Sequence, residues 1–266
     1  MAKTGAKPAK RRKRGAQTKM TLALFSMMLP GLIYLIINNY IPMAGLVIAF
    51  KRFNYGKGIW GSDWAGLSNF TYLFKTQDAK NIIRNTIGYN LTFILLGNVL
   101  AVAVAVMLNF MRGTLNKKIY QTVILVPYLI SMVVVSYIVF GFLSQENGFL
   151  NKILVAMGKD PVSWYTTSKY WPFILVFVNL WKGFGYSSIL YYATVIGIDS
   201  SLYEAATVDG ANRWKQVWHV TLPGLRGTII TMVLLSIGRM FYSDFGLFYQ
   251  VPMRSGLISS VTDTID

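Results

Sequence analysis

Few side chains in this sequence could carry out the chemistry that enzymes use. The chain has no cysteine and one histidine, His219, which leaves no thiolate metal site, no disulfide framework and no histidine cluster. No G-x-x-x-x-G-K-[ST] loop, which would cradle the phosphates of ATP, is present. We therefore predict no catalytic residue, no metal site and no cofactor, and we expect the chain not to be an enzyme.

The segment 200–224 is the best candidate for docking a partner, because local patterns predict a pair of short helices there. Ser201 is followed three residues later by Glu204, which is a capping-box pattern for a helix start. Gly210 suits the left-handed position that ends a helix. Asn212 can then cap a second helix.

The second predicted helix has one apolar face, at i, i+3, i+4, i+7 and i+8, which consists of Trp214, Val217, Trp218, Thr221 and Leu222. Pro223 fits the first turn of the membrane span that we expect to follow. Such a face must pack against its own bundle, against the membrane surface or in a groove on a partner protein.

Long apolar blocks dominate the rest of the chain and predict an all-α, polytopic membrane helix bundle. A helix needs roughly 20 apolar residues to cross a bilayer, and five blocks reach that length: about 20–40, 84–111, 119–143, 171–197 and 225–249. The first block is longer than the core of a signal peptide, so we interpret it as a retained anchor.

The charge distribution predicts how the spans are oriented. The formal net charge is +16, and residues 1–19 are basic with no acidic residue, which is typical of a segment that stays inside the cell. We predict a basic cytoplasmic tail at 1–19, a transmembrane domain at 20–266 and a cytoplasmic loop at 198–224. A DNA-binding membrane regulator would also be basic, but the face of the helix pair is rich in tryptophan rather than in basic residues.

The second block offers a packing face for another helix. Gly97, Ala101 and Ala105 recur every four residues and would let a neighbouring helix approach closely. Asn98 and Asn109 lie close to three helical turns apart and share a face. Each could form an interhelical hydrogen bond or line a wet pathway.

The docking segment resembles the EAA signature of permease subunits of binding-protein-dependent ABC importers. The resemblance lies in Glu204-Ala205-Ala206, Gly210 and Val220-x-Leu222-Pro223, with a valine where the family usually has isoleucine. The extended segments 203–223 and 243–250 are similar to those of the carbohydrate-uptake branch, related to maltose and oligosaccharide permeases. The resemblance implies that the segment forms a coupling helix that docks on an ATPase, through Glu204, Ala205, Ala206, Asp209, Gly210, Leu222 and Pro223.

The same resemblance implies the partners and the place in the cell. They are ABC ATPase subunits, a second permease subunit, an extracytoplasmic solute-binding protein, a sugar or oligosaccharide substrate and membrane lipid, with no nucleic acid. The protein is expected in the bacterial cytoplasmic (inner) membrane, with its N-terminus in the cytoplasm. Members of the family usually have a sixth span, and the sequence ends at Asp266 about where that span would begin, so we expect an incomplete chain.

Ionisable residues in apolar blocks mark the candidate substrate pathway, because burying a charge in a membrane is costly. Lys182, Arg239 and Asp244 are such residues. Carboxylates can accept hydrogen bonds from sugar hydroxyl groups, and aromatic rings can cover the apolar face of a sugar. We predict a pathway lined by Asp244, Tyr242, Phe245, Tyr249 and Asn98. The alternative is structural pairing with another subunit, or side chains that extend toward a membrane interface.

A secondary, ion-coupled transporter is the main alternative function, and a DNA-binding membrane regulator is the weaker one. The few ionisable residues in the spans could couple transport to an ion. Such a transporter would leave the EAA-like segment without a role.

Overall fold

The computed structural model of the chain describes residues 10–265, and it describes the side chains of residues 20–265 other than Tyr72 and Leu73. The chain divides between Thr76 and Gln77 into two compact units. The predicted tail lies at residues 1–19, of which 1–9 fall outside the described residues. The prediction of a single domain over 20–266 stays a prediction.

The first unit contains one long apolar helical stretch. Helix α1 (Lys10–Leu35) continues through a π-helical turn, the short helix α2 (Ile41–Met43) and a 3-10 turn that ends at Phe50. The stretch Met20–Phe50 is long and apolar enough to cross a membrane. The first predicted span is therefore present, and its helix extends beyond the predicted end at residue 40.

A small folded segment with one short two-stranded hairpin completes the first unit. Strand β1 (Lys51–Arg52) pairs antiparallel with β2 (Asp63–Trp64). Helix α3 (Gly58–Gly61) lies in the connection between the two strands, and α4 (Ser68–Lys75) follows β2. The buried Lys51 side chain donates to the Trp60 carbonyl at 2.9 Å. Elsewhere the described residues are helical or irregular.

Two long helices form the centre of the second unit. Helix α5 (Gln77–Phe110) packs along α9 (Trp171–Ile196). Ala101 and Ala105 are fully buried against the Tyr191 side chain of α9. The prediction that the small-residue face of the second span admits another helix is confirmed.

The third predicted span, 119–143, is two helices rather than one. Helices α6 (Thr114–Leu129) and α7 (Met132–Leu143) meet at an angle of 92°. The backbone becomes extended at Ile130, and the Ser131 hydroxyl accepts a hydrogen bond from the Val134 amide to start α7. The apolar pattern continues across the break, which is why hydropathy alone did not reveal it.

The fifth predicted span, 225–249, starts earlier and ends earlier than expected. Helix α11 (Arg213–Gln216), a π-helical turn and helix α12 (Leu222–Gly238) form one continuous stretch, Arg213–Gly238. The second helix of the docking segment is thus the beginning of the span. In the π-helical turn the Leu222 amide bonds the Val217 carbonyl, and this adjusted pattern accommodates Pro223, which lacks an N–H.

The remaining short elements lie in connections and near the end of the chain. Helix α8 (Phe149–Ala156) lies between α7 and α9, and α13 (Ser259–Thr262) follows a π-helical turn at Gly246–Gln250. The described residues thus include four uninterrupted helical stretches and one bent pair that could each cross a membrane. These match the five predicted positions, with changed boundaries, and the predicted helical class is confirmed.

Candidate functional site

The docking segment begins with helix α10 (Ser200–Val208), and its first turn is capped by Asp199. The Asp199 carboxylate accepts a hydrogen bond from the Ser201 amide at 2.9 Å. The prediction that Ser201 caps this helix is wrong by two residues. An aspartate just before a helix has the same capping ability as a serine, so residue type alone does not decide between Asp199 and Ser201.

Gly210 ends α10 in the left-handed conformation, as predicted, with φ +75°. The Ala211 amide bonds the Ala206 carbonyl at 2.9 Å, and the Gly210 amide bonds the Thr207 carbonyl at 3.0 Å. This pair of bonds is the Schellman motif, which satisfies the last carbonyl groups of a helix. A Cβ atom at Gly210 would meet nothing within 4 Å, so the glycine is needed for its backbone angle and not for space.

Side chains tie α10 to the helix that follows it. Asn212 caps α11 by accepting from the Lys215 amide at 2.9 Å, which confirms its predicted role. The Tyr203 hydroxyl lies 3.0 Å from the Thr221 hydroxyl, and the Gln216 amide group donates to the Thr207 hydroxyl at 3.0 Å. A force on α10 would therefore be passed to the span that begins at α11.

Most of the predicted coupling residues are exposed. Glu204, Ala205, Asp209, Gly210 and Pro223 are exposed, whereas Ala206 and Leu222 are half-buried. The exposed face of α10 has no other element of the second unit covering it, which suits a docking surface. Their coupling role stays a prediction.

The predicted apolar face of the second docking helix is divided between the interior and the surface. Val217 and Thr221 are buried, but Trp214 and Trp218 are 74% and 65% exposed. The π-helical turn at Val217–Thr221 adds a residue to that turn, so a face drawn with a constant period of 3.6 residues loses its register there.

Acid should release the cap of α10, because hydrogen bonds from the Ser201 backbone and side chain lower the pKa of Asp199. A carboxylate with a lowered pKa stabilises the fold above its ordinary pKa, and this contribution is lost as the pH falls through the lowered value. We expect the protection factors of the first-turn amides, which correct the exchange rates for their intrinsic pH dependence, to be lowered in Asp199→Ala at neutral pH, and in the unmodified protein only on acidification. Asp199→Asn, which caps without titrating, is the control, and an acid response equal to that of the unmodified protein would contradict the prediction.

A cavity of about 510 Å³ lies between α5, α9 and α12. Four of the five predicted pathway residues line it: Asn98, Tyr242, Asp244 and Phe245. Tyr249 does not, and it lines a smaller cavity beside Arg254, although its ring stacks on Phe245 at 4.4 Å. Their role in transport stays a prediction.

Asp244 and Arg239 lie outside the helix in which the sequence placed them. Helix α12 ends at Gly238, and both residues belong to the irregular segment that follows it. The Asp244 carboxylate accepts a hydrogen bond from the Leu247 amide at 3.2 Å. Because no helix continues past residue 238, the spacing of these two residues along a helix has no meaning, and both line the same cavity.

Asn98 forms the predicted interhelical hydrogen bond and also lines the cavity, while its role in a substrate pathway stays a prediction. Its side-chain oxygen accepts a hydrogen bond from the Tyr191 hydroxyl of α9, and its amide group donates to the Ile94 carbonyl at 2.6 Å. The same residue lines the cavity. Asn98 therefore links α5 to α9 at the wall of the cavity.

Several polar lining residues were missed by the sequence analysis: Asn90, Asn179, Ser187, Ser236 and Ser243. Helical spacing could have found some of them, because Asn90 lies about two turns before Asn98 and Asn179 about two turns before Ser187. Ser243 lies outside a regular helix, and no periodic pattern could have identified it.

Lys182 braces the bent span rather than lining the cavity. Its ammonium group donates to the Pro127 carbonyl at 3.3 Å, to the Tyr128 carbonyl at 3.0 Å and to the Ile130 carbonyl. These carbonyl groups lie where α6 ends. Gly185 of α9 packs so closely on the Ile124 backbone that a Cβ atom there would overlap the carbonyl oxygen.

Comparison with protein families and curated proteins gives consistent matches. The family described as the binding-protein-dependent transport system inner membrane component matches residues 79–243. Protein LplB of Bacillus subtilis is 33% identical over 91% of this chain and 76% of its own length. The polygalacturonan/rhamnogalacturonan transport system permease protein YteP of the same organism is 34% identical over 81% of this chain and 67% of its own length.

Solved structures give the same result. The structure of a bacterial ABC transporter involved in the import of the acidic polysaccharide alginate matches with a TM-score of 0.83 and 30% identity. The match covers 95% of this chain and 84% of that one. The alginate transporter in complex with a periplasmic protein that holds an alginate pentasaccharide matches with a TM-score of 0.82 and 30% identity, over 93% and 82% of the two chains.

Proposed function

This chain belongs to the binding-protein-dependent transport system inner membrane component family, and from that premise we propose that it is one permease subunit of an ATP-driven importer for a sugar or oligosaccharide. The substrate class rests on the relatives, whose names include polygalacturonan and rhamnogalacturonan, and on the alginate importer. ATP is hydrolysed by a separate subunit in this proposal, and the chain contributes no ATP site of its own.

The proposed partners are two ATPase subunits, a second permease subunit and an extracytoplasmic solute-binding protein. The alginate transporter has been solved with its oligosaccharide-bound periplasmic protein, which supports the last of these. The protein would lie in the bacterial inner membrane, with its N-terminus and loop 198–224 in the cytoplasm. The Arg213 guanidinium lies over the Phe110 ring at 5.7 Å, so the loop lies at the end of α5 that this orientation would also place inside.

The observation that carries the proposal is the continuous helix between the docking segment and the cavity. The stretch Arg213–Gly238 contains 26 residues, or about 39 Å of helix. Its first turn is bonded to α10 through Gln216 and its third turn through Thr221. Met232 and Ser236 near its other end line the cavity. Movement of a docked ATPase could therefore reach the cavity through one rigid element.

Glu204 is the proposed charged anchor of this docking surface. We expect Glu204→Ala to lower the amount of ATPase that copurifies with the permease in detergent. The substitution removes an exposed carboxylate from the docking surface, so the ATPase group that binds it would lose its partner. Removing one charged hydrogen-bond partner at an interface typically costs a factor of about ten in affinity. The permease itself should elute and melt as the unmodified protein does, since the Glu204 side chain is exposed.

The matched control is Glu146→Ala, which removes an exposed glutamate between α7 and α8, in a segment that the proposed orientation places outside. ATPase association should be unchanged in the control. If Glu204→Ala and the control copurified the ATPase equally well, Glu204 would not be an anchor. If the unmodified permease captured no ATPase, the proposed function itself would fail.

A further inference from the structure

One arginine of the cavity lining, Arg239, has no ion-pair partner among the described residues. Arg239 lines the cavity at the end of α12. Its guanidinium group forms neither a hydrogen bond nor an ion pair with any residue that the structure describes. An arginine beside an aspartate in one cavity would ordinarily be expected to pair with it, and here it does not.

Asp244 lines the same cavity, but among the described residues it forms no ion pair with Arg239. Its carboxylate accepts a hydrogen bond from the Leu247 amide at 3.2 Å. Arg239 is exposed, so its guanidinium group is available to a ligand in the cavity.

A second observation concerns Ser243, a polar residue at the same place. Ser243 lines the same cavity and is only 3% exposed, and its hydroxyl oxygen has no hydrogen-bond partner among the described residues. Buried polar groups without a partner are rare. The free serine is four residues from the free arginine in the chain, within the irregular segment that follows α12.

The rest of the lining fits a polyhydroxylated solute. The amide side chains of Asn90 and Asn179 can each donate and accept hydrogen bonds. Phe93 and Phe245 contribute apolar ring surface to the same cavity. Its volume of about 510 Å³ lies within the range of small-molecule sites.

We propose that this cavity selects an acidic oligosaccharide and that Arg239 binds the carboxylate group of one of its uronate residues. The proposal rests on the function proposed above and specifies its substrate class. The planar guanidinium fork matches a carboxylate in a bidentate pair. A neutral sugar would leave the arginine without a counter-charge when the cavity closes around it.

The test measures binding to the permease assembled with its ATPase in nanodiscs, by calorimetry. The two probes are trigalacturonate and its methyl ester, which has the same backbone without the charges. We expect the unmodified protein to bind the acid at least tenfold more tightly than the ester, roughly the size of one charge-assisted pair. Arg239→Gln should abolish this preference by weakening only the acid, and Arg239→Lys should retain part of it.

Arg226→Gln is the control, because it removes an exposed arginine from the same helix outside the cavity and should leave the preference unchanged. Equal binding of acid and ester, binding of neither, or a preference that survives in Arg239→Gln would overturn the proposal. ATPase association in the same preparation separates this failure from failure of the proposed function. If the ATPase still copurifies with the permease, the proposed importer function is retained and only the proposal of an acidic substrate is wrong.

Discussion

Replacing Gly210 by valine should uncouple the permease from its ATPase, with binding-protein-stimulated ATP hydrolysis falling about fivefold or more. The reason is the backbone angle at this position, φ +75°. A residue with a side chain costs about 1–2 kcal/mol in the left-handed region, and a β-branched residue is especially unfavourable there. The chain would relieve this strain by changing the turn between α10 and α11, which moves α10 away from its docking geometry.

The space around Gly210 makes the test specific. A Cβ atom at this position meets nothing within 4 Å, so the effect of a side chain here comes mainly from the backbone angle. Asparagine tolerates the left-handed conformation better than other non-glycine residues and is therefore the matched control. Gly210→Asn should keep most of the stimulated hydrolysis.

The measurement is ATP hydrolysis by the assembled importer in liposomes, with and without the loaded solute-binding protein. The melting temperature of each permease variant in detergent should stay close to that of the unmodified protein, because the change lies in an exposed turn. Equal stimulation in the valine and asparagine variants would show that the end of α10 does not set the docking geometry.

Replacing Lys182 by methionine should destabilise the membrane fold more than any other single change considered for this chain. The Lys182 ammonium group is the shared donor for three carbonyl groups at the break between α6 and α7. Water is scarce at this depth in a bilayer, and backbone groups must be satisfied within the protein. The Pro127 carbonyl also accepts the Ile130 amide, so the change leaves the Tyr128 and Ile130 carbonyl groups without this donor. An unsatisfied acceptor costs about 1–3 kcal/mol, so we expect a loss of about 2 kcal/mol or more.

The bend itself should respond as well as the stability. With its donors removed, the break can regain hydrogen bonds only if the 92° angle between α6 and α7 changes. We expect a lower melting temperature in detergent and a changed distance between spin labels placed on α6 and α7. Lys182→Arg keeps the charge and should retain part of the stability.

Lys169→Met is the matched control for Lys182→Met. Lys169 is exposed and precedes the same helix, α9, so the same change there should leave both the melting temperature and the label distance as they were. A Lys182→Met protein with the unmodified melting temperature and label distance would mean that the three carbonyl groups find other partners.

The role of Lys182 also bears on the ion-coupled alternative. The sequence offered Lys182, Arg239 and Asp244 as the ionisable groups of the spans. Lys182 is engaged by backbone carbonyl groups, and Asp244 bonds a backbone amide. Membership of the permease family accounts for the EAA-like segment. A secondary transporter or a DNA-binding regulator would leave that segment without a role.

The sequence by itself determined the features that depend on short-range patterns. The five apolar blocks, the small-residue face at Ala101 and Ala105, the glycine end of α10 and the Asn212 cap all follow from composition and spacing over a few turns. The resemblance to the permease family, carried by Glu204 to Pro223, also needed no structure. Each of these depends on residues that are neighbours along the chain, where helix geometry fixes their relative positions.

Only the tertiary structure decided where the spans break and which side chains meet. The break at Ile130 is satisfied by a lysine from another helix, and the early end of α12 places Arg239, Ser243 and Asp244 around one cavity. The π-helical turn before Leu222 moved the apolar face out of its expected register. Hydropathy is averaged over a window of residues and cannot detect such changes. A long apolar block has the same mean hydropathy whether its backbone hydrogen bonds form within one helix or are completed by a distant side chain.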